Sequence, residues 1–263
     1  MQNNNDNLRI TIVQTSLQWE NVKANLDFFE QELASKIEET DLILLPEMFT
    51  TGFSMNAEQL AESINGKTMQ WMAAQAQQYN TVVAGSFIAK ENEKFYNRLI
   101  WMQPDGNYQY YDKRHLFTMA NEHLTYEAGT KKLIVEWRGW KICPLICYDL
   151  RFPVWSRNAE NYDLLIYLAN WPVTRSFHWK SLLQARAIEN QSFTVGVNCV
   201  GKDGGGYYYT GDSCILSPAG EWLFQAADRR VVHTQTIHKE DLIALRKKLP
   251  FLADIKSKIS SVK

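Results

Sequence analysis

The 263-residue sequence has no run of about 18 apolar residues, the length a transmembrane helix needs. Its start, Met1-Gln2-Asn3-Asn4-Asn5-Asp6-Asn7, lacks both a basic segment and an apolar one, so no signal peptide is expected. Four cysteines are too few for a disulfide framework in so long a chain. Neither charge sign dominates: 28 basic side chains face 29 acidic ones, which gives no electrostatic reason to expect nucleic acid or an anionic membrane as partner. Linkers, low-complexity stretches and internal repeats are missing too. What these absences leave is a soluble, cytoplasmic protein folded as one domain over residues 1–263.

Hydrophobic periodicity then supplies the elements. Leu8 to Gln14 alternates as a strand, and Val22, Leu26, Phe29 and Leu33 recur at helical spacing. Asp41 to Leu45 is a short apolar run stopped by Pro46. A helix fits Thr68 to Tyr79, and a strand follows at Thr81 to Ile88. This β-α-β-α-β order predicts buried strands covered by helices. Next come two hairpins. Phe95 to Met102 and Tyr108 to Asp112 flank Pro104-Asp105-Gly106-Asn107, while Leu133 to Trp137 and Lys141 to Ile146 flank Arg138-Gly139. Strands at Leu164 to Leu168 and Phe193 to Val200 bracket a helix over Trp179 to Asn190. Late strands fit Ser213 to Leu216, Trp222 to Gln225 and Val231 to Ile237. A last helix covers Glu240 to Lys248, and the tail Ser257 to Lys263 reads as frayed. The fold class is α/β with mixed strand pairing.

Chemistry could sit in three places. Glu47, in Leu44-Leu45-Pro46-Glu47-Met48-Phe49, follows a buried strand, where open α/β sheets place their ligands. Burial there suits a carboxylate to general-base work, although a loop or capping glutamate reads the same way. Lys113, in Tyr111-Asp112-Lys113-Arg114-His115-Leu116-Phe117, could stabilise an oxyanion from a strand end or belong to a solvated turn. His115 in the same stretch offers a Cys–His pairing or a structural hydrogen bond. Cys147, in Ile146-Cys147-Tyr148-Asp149-Leu150-Arg151-Phe152-Pro153, stands where a strand runs into a helix start. Such an elbow exposes a nucleophile, whereas a merely buried cysteine would be inert. Cys143, Cys199 and Cys214 read as core residues, and Gly204-Gly205-Gly206 as a loop lacking the lysine of a phosphate-binding motif.

Taken together, Pro46-Glu47, Asp112 to Phe117 and Cys147 to Pro153 resemble the nitrilase superfamily of carbon–nitrogen hydrolases in order and separation. Asn121 to Gly129 and Val154 to Asn158 resemble its bacterial omega-amidase (2-oxoglutaramate amidase) branch. The resemblance implies a four-layer α-β-β-α sandwich with Cys147, Glu47 and Lys113 as its active site. It implies Glu122 as a second glutamate, with Glu127 as rival. It also implies a homodimer or higher homo-oligomer packed through helices including Trp179 to Asn190, and neither metal nor organic cofactor.

Amide hydrolysis at neutral pH needs those residue types. A free thiol is only a few per cent thiolate at pH 7, near its reference pKa of about 8.5. Lys113 would favour the thiolate, Glu47 would move the proton, and Lys113 with the Tyr148 N–H would hold the oxyanion. Glu122 would orient the amide and hold Lys113. An omega-amidase substrate also carries a distal carboxylate. Arg151 and Arg175 are the cations that could meet it, with Trp171 as a pocket wall. The alternatives are an N-carbamoyl amino-acid amidohydrolase, a nitrilase or another amidase of the superfamily, a Cys147–His115 hydrolase, and a binding protein that keeps the fold without the reaction.

Overall fold

The computed structural model describes residues 6–37 and 39–254. The expected fraying of Ser257 to Lys263 lies outside them. In chain order the elements are β1 (Asn7–Gln14), α1 (Val22–Lys36), β2 (Leu42–Leu44), α2 (Ala57–Leu60), α3 (Lys67–Tyr79), β3 (Val82–Glu91), β4 (Lys94–Met102) and β5 (Tyr108–Asp112). After these come α4 (Glu122–Thr125), β6 (Val135–Trp137), β7 (Trp140–Ile146), α5 (Pro153–Ser156), β8 (Leu164–Leu168) and α6 (Ser176–Asn190). The last described elements are β9 (Phe193–Val197), β10 (Val200–Lys202), β11 (Tyr208–Leu216), β12 (Trp222–Ala227), β13 (Val231–His238) and α7 (Lys239–Lys248).

These strands form two sheets. One has six strands in the order β13-β1-β2-β3-β4-β5; the other has seven, β10-β11-β9-β8-β7-β6 with β12 beside β11. Residue alternation decides how they pack. Leu8, Ile10, Ile12, Leu42, Leu44, Leu99 and Trp101 face inward and meet Ile142, Leu164, Ile166 and Val195 of the second sheet. Their neighbours Ile43, Val83, Phe87 and Ile100 face outward and are covered by Phe29 and Leu33 of α1 and Met69 and Met72 of α3. Trp179, Leu183 and Ala187 of α6 cover the far side of the second sheet. The result is the expected α-β-β-α sandwich.

Parallel pairing puts the candidate residues at one end. β1, β2 and β3 run parallel, as do β7, β8 and β9. Ile146 pairs with Leu168, so the chain leaves β7 at Cys147 beside the chain leaving β8 at Asn170. Across β4 and β5, Arg98 faces Asp112, and the Lys113 N–H continues the ladder to the Asn97 carbonyl at 3.0 Å.

Three local readings change. β3 continues to Glu91 and turns into β4 through Asn92 and Glu93, both left-handed (φ 49° and 59°), a primed hairpin turn without its usual glycine. The expected strand Phe193 to Val200 is split at Asn198, whose side chain holds the Trp171 N–H, the Trp171 carbonyl and the Gly211 carbonyl and takes that residue out of the ladder. The helix after Pro153 is a single turn.

Gly129 fixes the end of β5. Its N–H donates to the Lys113 carbonyl at 2.9 Å, and a Cβ there would fall 2.0 Å from the Asp112 carbonyl oxygen. Gly129→Ala is therefore expected to destabilise the protein by about 1–3 kcal/mol and to lower turnover by displacing Lys113. Gly205→Ala, which meets nothing closer than 3.4 Å, is the control. Equal thermal midpoints for the two variants would refute this account.

Candidate active site

Lys113 is wholly buried, an arrangement that a charged ammonium tolerates only with partners. It has two. Its Nζ donates to Glu47 Oε1 at 2.8 Å and to both carboxylate oxygens of Glu122 at 3.0 Å. Both glutamates are without solvent exposure. Asn97 adds a second bridge, its Nδ2 donating to Glu47 Oε1 at 2.8 Å and to Glu122 Oε1 at 3.3 Å. Glu122, first residue of α4, also accepts from the Phe117 N–H. Glu127 is half exposed and paired with Lys94 at 3.2 Å, so Glu122 and not its rival joins the cluster.

Cys147 sits directly beside this cluster, at φ 43°, a left-handed conformation that a non-glycine residue adopts only when its surroundings impose it. Asp149 imposes it. Its buried carboxylate accepts from the Ile146 N–H at 3.1 Å, the His115 N–H at 3.0 Å and the Tyr111 hydroxyl at 2.7 Å. One carboxylate thereby ties the elbow to the segment carrying Lys113. Asn170 joins the same end. Its N–H donates to Glu47 Oε2 at 2.8 Å, its Nδ2 donates to the Glu47 carbonyl at 2.6 Å, and its own carbonyl lies 4.0 Å from Cys147 Sγ.

Above Cys147 opens a cavity of about 110 Å³. Its lining includes Lys113, Cys147, Tyr148, Arg151, Trp171 and Arg175, so it gathers the expected residues, with Glu47 and Glu122 buried behind Lys113. Phe53, Phe117, Asn170 and Tyr207 complete much of the wall and were not singled out from the sequence. The Arg151 guanidinium lies 4.7 Å from the Trp171 ring centre and that of Arg175 lies 5.2 Å from the Phe117 ring centre. Neither arginine forms an ion pair with a carboxylate among the described residues. Trp171 Nε1 donates to the Arg175 carbonyl at 2.8 Å, which links wall and cation. His115 is committed elsewhere: its Nδ1 is 2.8 Å from Asp149 and its ring stacks on Phe152 at 3.8 Å.

Residues 9–247 match the carbon-nitrogen hydrolase family. The chain belongs to that family. It is 52% identical over 220 residues to omega-amidase YafV of Escherichia coli (strain K12), covering 83% of this chain and 85% of that one. Identity to the 2-oxoglutaramate amidase of Bacillus subtilis (strain 168) is 35% over 242 residues, 90% of this chain and 92% of the other. A CN-hydrolase superfamily protein from Xanthomonas campestris, solved with an arsenic adduct in its active site, is 42% identical. It superposes with a TM-score of 0.92 over 94% of this chain and 97% of its own. The protein is thus a hydrolase of carbon–nitrogen bonds in the omega-amidase branch of the nitrilase superfamily. No helix among the described residues is long and apolar enough to cross a membrane.

Electrostatics in this hydrolase differ from the expectation in one respect. Burial pushes the Cys147 thiol well above its ordinary range, and the negative charge of Glu47 pushes the same way. Lys113 opposes them without prevailing, because two carboxylates already answer its charge. Burial works against the Lys113 ammonium, but Glu122 and Glu47 outweigh it and hold the proton on. The resting enzyme therefore holds a neutral thiol beside a carboxylate, not a preformed thiolate. Iodoacetamide should label Cys147 before the other cysteines, since Cys143, Cys199 and Cys214 do not line the cavity. The labelling rate should keep rising as pH passes through 8 and 9, because deprotonation lies above that range. A rate that levels off by about pH 7.5 would show a depressed thiol and overturn the assignment.

Proposed function

We propose that the protein releases ammonia from the terminal amide of short dicarboxylic monoamides, 2-oxoglutaramate and succinamate among them, through a thioester on Cys147. One observation carries the substrate class. Arg151 and Arg175 flank the cavity over Cys147 without a carboxylate partner among the described residues. Two guanidiniums in an aromatic site, neither paired with a carboxylate among the described residues and Arg151 hydrogen-bonded only to His178 Nδ1 at 3.2 Å, call for an anion, and a planar carboxylate fits their fork geometry. The names of the E. coli and B. subtilis relatives support the same class.

In this reading Cys147 Sγ attacks the amide carbon as Glu47 takes the thiol proton. The oxyanion rests between the Lys113 ammonium and the Tyr148 N–H. Collapse expels the amine, which leaves as ammonia with the proton returned by Glu47. Water, deprotonated by Glu47, then attacks the thioester; the acid departs and the thiol is restored. Glu122 keeps Lys113 charged and fixed. Trp171 forms the apolar wall that sets substrate width. The full chain acts as one catalytic domain in the cytoplasm, in an assembly of at least two copies. The exposed apolar side chains of Phe177 on α6 and Val154 on α5 are the surface that such an assembly would cover.

Cys147→Ala is expected to abolish turnover. Glu47→Gln and Lys113→Ala should each lose at least about 10²-fold in kcat while staying folded. Near wild-type turnover in either would remove the role assigned to it. Succinamate and butyramide differ mainly in the distal carboxylate, so kcat/KM should favour succinamate by about 10- to 100-fold. Arg151→Met and Arg175→Met, measured on both, identify the cation as the one whose loss erases that preference. Equal kcat/KM for the two substrates in the wild type would refute carboxylate recognition and leave the cysteine chemistry standing.

A further inference from the structure

Asn97 is an odd occupant of its position. It lies in β4, opposite Ile88 and fully buried, where asparagine is disfavoured and an apolar residue would pack. Its Oδ1 is buried without a hydrogen-bond partner among the described residues. Such an orphaned acceptor is destabilising and calls for an explanation. Rotating the amide does not relieve it, since Oδ1 would then face two carboxylates. The side chain is explained by its NH₂ group, which reaches Glu47 and Glu122 together.

The two carboxylates share one lysine. With both ionised, the buried cluster of Glu47, Glu122 and Lys113 is one positive charge short. Paired carboxylates in that situation take up a shared proton. A proton shared between Glu47 and Glu122 would lessen the capacity of Glu47 to take one from Cys147. An amide donor that cannot lose its hydrogen answers this, and it is shorter towards Glu47 (2.8 Å) than towards Glu122 (3.3 Å). Lys113 is biased the other way, with two contacts to Glu122 and one to Glu47. The backbone carbonyl of Asn97 also holds the Lys113 N–H, so one residue sets the lysine and both of its partners.

We propose that Asn97 is a positioning residue that keeps the Glu47–Glu122 pair from sharing a proton and so leaves Glu47 free to take one from Cys147. This rests on the reading of Glu47 as proton shuttle. The other ionisable groups that interact with the pair include Lys113, Cys147, Tyr126, Cys199 and Tyr209, and all five keep their protons at neutral and acidic pH. Loss of activity on the acid side therefore reports on the carboxylate pair.

The test is the pH dependence of kcat/KM for succinamate in the wild type, Asn97→Ala and Asn97→Asp, with thermal midpoints measured alongside. Removing one donor from a buried carboxylate should move the acid limb up by roughly one to two pH units. Well below both limbs that shift lowers kcat by about 10- to 100-fold, and KM should stay within about threefold. Asn97→Asp, nearly the same shape, puts a third acceptor in place of the donor and should move the limb at least as far. It carries the test if Asn97→Ala does not fold. An acid limb unmoved in a folded variant, with activity lost at all pH values alike, overturns the inference and makes Asn97 structural. Turnover surviving in Glu47→Gln overturns the shuttle reading and the inference with it, which separates the two failures.

Discussion

Three buried charges govern this molecule: Lys113 held between Glu47 and Glu122 with no solvent on any of them. Each alone would be untenable in the interior, and removing one partner of such a group typically costs about 3–5 kcal/mol. The surroundings are therefore built to keep the set complete. The Lys113 backbone is clamped on one side by the Asn97 carbonyl and on the other by the Gly129 N–H. Glu122 is fixed by the Phe117 N–H, and Glu47 by the Asn170 N–H. The proposed reaction centre is thus prearranged by the stability requirement itself. A charge placed so that it cannot relax away also cannot drift from its substrate.

Much of this is legible in the chain. Alternation over Leu8 to Gln14 and the apolar run ending at Leu45 locate the parallel strands, and the residues just past the end of a parallel strand are where a site is sought. Glu47 and Cys147 stand at such ends, and Lys113 stands where a hairpin strand stops. The sandwich itself and Glu122 come from the family resemblance, since no periodicity says which face of one sheet meets another. Asn97 gives no signal. It is a polar residue in an alternating strand, and its partners are 50 and 25 residues away. Asn198 is hidden for the same reason: it breaks an apparently continuous strand through bonds to Trp171 and Gly211.

The charge state of Cys147 shows a different limit. A lysine beside a cysteine suggests a thiolate, and the direction of that influence is right. What the sequence does not carry is the sum. Two carboxylates reach Lys113, one from the loop after β2 and one from α4, and burial acts on the sulfur as well, so the thiol stays protonated. Residue types identify the players; only the assembled geometry gives the balance among them.

The site is divided between the two sheets. Glu47, Asn97, Lys113 and Glu122 hang from the six-stranded sheet and its loops, while Cys147, Arg151, Asn170, Trp171 and Arg175 hang from the seven-stranded one. In the mechanism proposed above, proton handling belongs to one layer, and nucleophile and selectivity to the other. Loops after β7 and β8 are free to diverge and retune which amide enters without disturbing the acid–base set. The same division makes the reaction a gauge of the seam between the layers. A slide of one sheet over the other by about an ångström would silence the enzyme while both sheets remained intact.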